Sequence, residues 1–142
     1  MRYLFTTLAL SAILLLAFAC GNKRQATHSA LFAREITISP ETIAEGIRDT
    51  LQLGRMRQGE IIAKTIRLKN QSQRPIVILH DMTSCGCTKA SYSRKPITPN
   101  SSCDITIEFN SQGQMGWQMK LLELYFAEMD TPLKIYIDAE VE

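Results

Sequence analysis

The chain has 142 residues, with 16 Lys+Arg against 14 Asp+Glu and a formal net charge of +2. Hydrophobic residues make up 45% and charged residues 21%, the balance of a globular protein of about one domain rather than of a disordered chain. So small and evenly mixed a charge argues against a nucleic-acid partner.

Met1-Arg2-Tyr3 makes a short positive start, and Leu4 to Phe18 then runs without a charge. A spanning helix needs about 20 apolar residues, so the run has the length of a secretory signal instead. Leu16-Ala17-Phe18-Ala19-Cys20 resembles a bacterial lipobox, although its Leu stands one place further from the Cys than usual. The expectation is a signal peptide over 1–19 and a lipidated Cys20 that anchors the protein to a membrane. Acyl chains contribute about 0.8 kcal/mol per buried methylene. Residues 20–34, polar and without a sustained period, read as the lipidated Cys and a flexible tether. Lys23-Arg24 and His28 in it have no partner in view.

From 35 to 142 the pattern is one of short strands. Glu35 to Ile38 gives a weak one, a helical turn or two is expected near Glu41 to Ile47, and a short strand over Thr50 to Leu53. Ile62, Ile66 and Leu68 share a parity with Lys64, while Arg67 and Lys69 fall on the other face. Ile76 to Leu79 is continuously apolar, as in a strand covered on both faces. Ile105, Ile107 and Phe109 alternate with Asp104, Thr106 and Glu108. Leu122, Leu124 and Phe126 mark another strand, and Leu133, Ile135, Ile137, Ala139 and Val141 alternate with polar neighbours in the last. About seven strands with regularly spaced turn signals predict an all-β, immunoglobulin-like β-sandwich. A domain of this size buries enough surface to be stable without metal or disulfide.

One segment carries possible chemistry: Thr83-Ser84-Cys85-Gly86-Cys87-Thr88. It follows Gly54-Arg55-Met56-Arg57-Gln58-Gly59-Glu60, the strand end Leu68-Lys69-Asn70, and Arg74-Pro75-Ile76-Val77-Ile78. It precedes Lys95-Pro96-Ile97-Thr98-Pro99. In order and spacing this resembles the bacterial family catalogued as domain of unknown function 1573, over about Leu51 to Val141. The resemblance implies an exported, immunoglobulin-like lipoprotein with no assigned activity, and it brings no catalytic residue. Two departures stand out. Asn100 replaces the usual Pro-Gly turn, where Asn also tolerates a left-handed conformation, and Cys103 is an additional thiol.

Export would make disulfides possible, and lipidation of Cys20 would leave three thiols. A Cys85–Cys87 bridge would close across Gly86, whose backbone freedom suits so small a ring, and would be more easily reduced than a structural staple. Lys89 could lower a thiol pKa. Alternatively Cys85 and Cys87, with His80, could hold Cu(I). Zinc lacks a fourth ligand. Cys103 shares the parity of Ile105, which suits a core thiol, although a bridge from it to Cys85 or Cys87 stays open.

Trp117 is expected in the core at a strand entry. Ser91, Ser93 and Ser101 have no His nearby, and the sequence shows no phosphate loop. The function expected is therefore non-enzymatic: a lipid-anchored, periplasm-facing module of the cell envelope that contacts an envelope protein. Which membrane it occupies is left open. Its contact surface is expected on a loop from Asp81 to Arg94 bearing Cys85, Gly86, Cys87, Lys89, Tyr92 and Arg94. The alternative is a thiol-redox or Cu(I)-handling periplasmic protein.

Overall fold

A computed structural model describes residues 33–127 and 129–142. The expected signal peptide, Cys20 and nearly all of the tether lie outside the described residues. Eight strands and one short helix follow in order: β1 (Arg34–Ile38), α1 (Pro40–Glu45), β2 (Arg48–Met56), β3 (Ile61–Asn70), β4 (Ile78–Thr83), β5 (Thr88–Tyr92), β6 (Ser102–Asn110), β7 (Gly116–Phe126) and β8 (Leu133–Val141). They form two four-stranded sheets, ordered β1-β3-β6-β5 and β2-β8-β7-β4. This is the expected all-β sandwich. In an immunoglobulin fold β3, β6 and β5 correspond to strands B, E and D, and β4, β7 and β8 to C, F and G.

The first strand of such a fold is here split between the sheets. β1 runs parallel to β3, and β2 runs parallel to β8. Helix α1 carries the chain across, and its residues explain where it starts. Pro40 stands in the first turn, which needs no N–H from it. The amide of Thr42 donates to Ser39 Oγ at 3.4 Å while Thr42 Oγ1 accepts from the Ser39 amide at 2.8 Å, a reciprocal cap. Arg34 Nε donates to Asp49 Oδ2 at 2.8 Å, tying the two halves of the split strand together on the surface.

The core lies between the sheets and follows the alternation in the sequence. Ile105, Ile107 and Phe109 of β6, Leu122 and Leu124 of β7, and Leu133, Ile135 and Ile137 of β8 are all buried. Each such side chain contributes about 1.5–3 kcal/mol when fully removed from water. The run Ile76 to Leu79 departs from expectation. Ile76 and Ile78 are buried but Leu79 is 49% exposed, because β4 is an edge strand whose pairing with β7 shifts register between Ile78 and His80.

Among the described residues no buried side-chain polar atom lacks a hydrogen-bond partner. Asn70, at the end of β3, is fully buried. Its Nδ2 donates to the carbonyls of Arg74 and Ile97, each at 2.8 Å, and its Oδ1 accepts from the Ser72 amide (2.9 Å) and hydroxyl (2.7 Å). One side chain thus holds the β3–β4 loop against the segment leading to β6. Asn100 does take the left-handed conformation, with φ 61°, and its amide donates to the Asn70 carbonyl at 2.8 Å.

Candidate functional site: a disulfide corner between two edge strands

The segment expected to be a loop, Asp81 to Arg94, is mostly strand. β4 closes one edge of the second sheet and β5 closes one edge of the first. Residues 84–87 are the corner that carries the chain from one sheet to the other. Period-two alternation in Lys89-Ala90-Ser91-Tyr92 is too polar to announce a strand, and only its pairing with β6 makes it one.

Cys85 and Cys87 form a disulfide in this corner, with Cα atoms 5.2 Å apart. The corner is held independently of that bond. Thr83 Oγ1 donates to the Cys85 carbonyl at 3.0 Å, and the Thr88 amide approaches the same oxygen at 3.4 Å. Ser84 exchanges two bonds with Leu121 of β7: its amide donates to the Leu121 carbonyl and its Oγ accepts from the Leu121 amide, each at 2.9 Å. The Asn110 amide donates to the Cys87 carbonyl at 2.9 Å. Closing a loop this short adds little more, about 1.6 kcal/mol on a chain-entropy argument for three residues.

Gly86 does not need its special freedom. Its φ is not in the left-handed region, and a Cβ built on it meets nothing within 4 Å. Cys85 Sγ lies 3.7 Å from Thr88 Oγ1, and Cys87 packs against the edge of the core.

Among the described residues Cys103 is the free thiol, and it is buried. It sits near the start of β6, whereas Asn110, bonded to Cys87, ends that strand. At about 3.4 Å per residue the two ends are roughly 24 Å apart, so Cys103 is out of bridging range. Burial pushes the Cys103 thiol pKa up.

The remaining candidates are dispersed. Lys89 is exposed and pairs across the ladder with Glu108 on β6, on the strand face opposite to buried Thr88. His80 stacks on Tyr125 of β7, with ring centroids 4.4 Å apart and planes 8° from parallel. His80, Cys85 and Cys87 do not form a ligand set, and no cluster of three metal-binding side chains occurs among the described residues.

Half-buried Tyr92 and exposed Arg94 clasp the two edge strands. Tyr92 OH donates to Asp81 Oδ1 at 2.8 Å, and Arg94 Nη1 donates to the Leu79 carbonyl at 3.1 Å. Partial burial, followed by the Asp81 carboxylate, pushes the Tyr92 phenol up to about 12. Two of the residues expected to meet a partner, Tyr92 and Arg94, thus also join β4 to β5.

Trp117 overturns its expected place in the core. It is 62% exposed, and its indole N–H donates to Asp138 Oδ1 at 2.7 Å. On β7 it shares a parity with Met119, Leu121, Glu123 and Tyr125, opposite to buried Leu122 and Leu124. Met119 is 43% exposed, and Met82 of β4, paired with Glu123, is 54% exposed. The signal available in the sequence was this parity: counting back from Leu122 in twos puts Trp117 on the outer face.

Comparison with known proteins agrees with this architecture. A family model described as "Protein of unknown function (DUF1573)" matches residues 44–141. The chain belongs to this family. The match reaches back into α1, earlier than the resemblance in the sequence suggested. No curated protein matches the chain significantly.

Solved structures share the fold of this DUF1573 domain at low identity. A protein of unknown function from Porphyromonas gingivalis W83 is 19% identical, with a TM-score of 0.56 over 64% of this chain and 43% of that one. The Vibrio cholerae VesB protease is 14% identical, with a TM-score of 0.58 over 70% of this chain and 33% of its own. The secreted serine protease VesC, from the same organism, is 14% identical, with a TM-score of 0.52 over 63% and 21%. This chain thus spans less than half the length of each.

Within the DUF1573 domain the motif residues Gly59 and Glu60 shape the turn that Ser111 then holds. Gly59 takes φ 84° in the β2–β3 turn, and Glu60 Oε2 accepts from the Arg57 amide at 2.9 Å to close it. Buried Ser111 places its Oγ 2.8 Å from the Arg57 carbonyl and 2.9 Å from that of Glu60.

Proposed function

We propose that this DUF1573 protein is a lipid-anchored module of the cell envelope that faces the periplasm and works by contacting another envelope protein. The observation that carries the contact role is the outer face of the second sheet, where Trp117, Met119 and Met82 stand in water. A monomer with no partner gains nothing from exposing Trp117 and Met119 side by side on one sheet face, with Met82 about 14 Å further along it, and apolar exposure of this kind marks interaction surfaces. Asp138, Glu140, Glu123 and Lys134 surround the stripe, giving the apolar centre and charged rim of an interface. Anchoring rests on the sequence around Cys20.

A photoreactive amino acid placed at Met119 in living cells tests the contact. It should trap one defined envelope protein, while the same probe at exposed Glu35 on β1, at the far edge of the other sheet, traps none. Trp117→Lys, which keeps a donor beside Asp138 and faces Glu140, should abolish the adduct with little change in the melting temperature. Equal trapping from both faces, or none from Met119, refutes the reading. For the anchor, Cys20→Ser should release the protein from membranes and end incorporation of labelled palmitate.

A further inference from the structure

We propose that Cys85–Cys87 is an exchange disulfide, which oxidises a dithiol on another exported polypeptide. This goes beyond the contact role and rests on separate residues. Cys85 and Cys87 are each half-buried at a surface corner, and exposed Gly86 between them has nothing within 4 Å of where a Cβ would stand, which leaves the outer side of the bridge open to an attacking sulfur. The corner is held by hydrogen bonds from Thr83, Ser84 and Asn110 that do not depend on the S–S bond. Opening the pair therefore leaves the fold in place, which a structural staple does not allow. Cys103, buried at the far end of β6, can neither resolve a mixed disulfide nor reshuffle the pair.

The chemistry has a direction. A thiolate of the partner attacks Cys87 Sγ, forming a mixed disulfide and breaking the Cys85–Cys87 bond. Cys85 leaves as a thiolate within 3.7 Å of the Thr88 hydroxyl, which stabilises the charge by donating to it. The partner's second thiolate then attacks its own sulfur in the mixed disulfide and releases Cys87. Two electrons and two protons pass from the partner dithiol to the pair, leaving the partner with a disulfide and Cys85 and Cys87 as thiols.

The test uses the full-length chain in detergent micelles, with reduced glutathione and a two-cysteine peptide as probes. Alkylation and intact mass follow the thiols, and circular dichroism follows the fold. Glutathione should open the pair in the folded protein with the thermal transition still cooperative and Cys103 still unlabelled. The oxidised protein should convert the peptide to its disulfide, one for one, with new thiols mapping to Cys85 and Cys87. Thr88→Val should slow exchange about tenfold, the worth of one hydrogen bond to a charged group, and should raise the pH at which the reduced pair reacts. A pair that opens only when the domain unfolds, or a fold that loses its cooperative transition on reduction, overturns the proposal. Exchange unchanged in Thr88→Val overturns the assignment of Cys85 as leaving group. Small-molecule exchange does not involve the Trp117 face, so its failure leaves the contact role standing.

Discussion

Replacing Asn70 tests whether a single buried amide organises one end of the sandwich. Asn70→Ala removes two donors and an acceptor that together make four hydrogen bonds. Two of the groups left behind keep another partner. The Ile97 carbonyl still accepts from the Ile76 amide at 3.0 Å, and the Arg74 carbonyl still accepts from Ser72 Oγ at 2.9 Å. The Ser72 amide is the group deprived. With about 1 kcal/mol for each bond lost and some recovery by the spared carbonyls, the cost is about 3 kcal/mol. For a domain of this size that lowers the melting temperature by roughly 12 °C.

Asn70→Asp is the sharper variant. It keeps the acceptor for Ser72 but sets an oxygen against the Arg74 and Ile97 carbonyls, so at pH 7 it should cost more than Ala. Burial among carbonyls favours the protonated acid, so the folded state binds that proton more tightly than the unfolded one. The extra cost should therefore shrink as pH falls toward the ordinary carboxylate range. Urea denaturation followed by circular dichroism at pH 7 and pH 4.5 measures both effects. If Asp is milder than Ala at pH 7, or if Ala changes stability by less than about 0.5 kcal/mol, the amide does not organise this end of the fold.

Other consequences follow from the same geometry. The phenol of Tyr92 is raised to about 12 in the folded protein, against about 10 when unfolded. The folded state therefore keeps its proton longer, and stability present below about pH 10 should fall as pH rises toward 12; Tyr92→Phe should flatten that part of a stability–pH curve. Cys103, buried and with a raised pKa, should resist iodoacetamide at pH 8 in the native protein and react only in denaturant, as peptide mapping would show. Gly59→Ala should cost about 1–2 kcal/mol because φ 84° is unfavourable for an L-residue, whereas Gly86→Ala should be nearly neutral in the same thermal melts.

Where one sheet face is buried, the sequence declares it. Strands β6 and β8 were legible from alternation alone, because every second residue is apolar and its neighbours are not. The strand beginning at Gly116 was legible only in its second half. Trp117 and Met119 are large and apolar on the wet face, so they invert the pattern there, and a hydrophobic count reads them as core. Strand β5 was hidden for the opposite reason: an edge strand needs few apolar residues, and Thr88 to Tyr92 has little to distinguish it from a polar loop. The clasp from Tyr92 to Asp81 could not be read at all, since it joins two sheets through a corner whose geometry depends on both. The Cys85–Cys87 pairing was one of several possibilities until β6 set Cys103 at the opposite end of the sandwich.

The contact face and the disulfide corner meet at one residue. Ser84 holds the Leu121 backbone by both its amide and its hydroxyl, and Leu121 shares a strand face with Met119 two residues away. At about 3.4 Å per residue along a strand, a partner seated on Trp117 and Met119 has an edge roughly 7 Å from the strand position that grips the corner. A protein bound on the outer face therefore needs only a short extended segment to bring a thiol to Cys87. If contact and exchange serve the same partner, Trp117→Lys should slow exchange with that protein while leaving exchange with glutathione unchanged. Equal slowing toward both probes would mean instead that the substitution disturbs the corner itself.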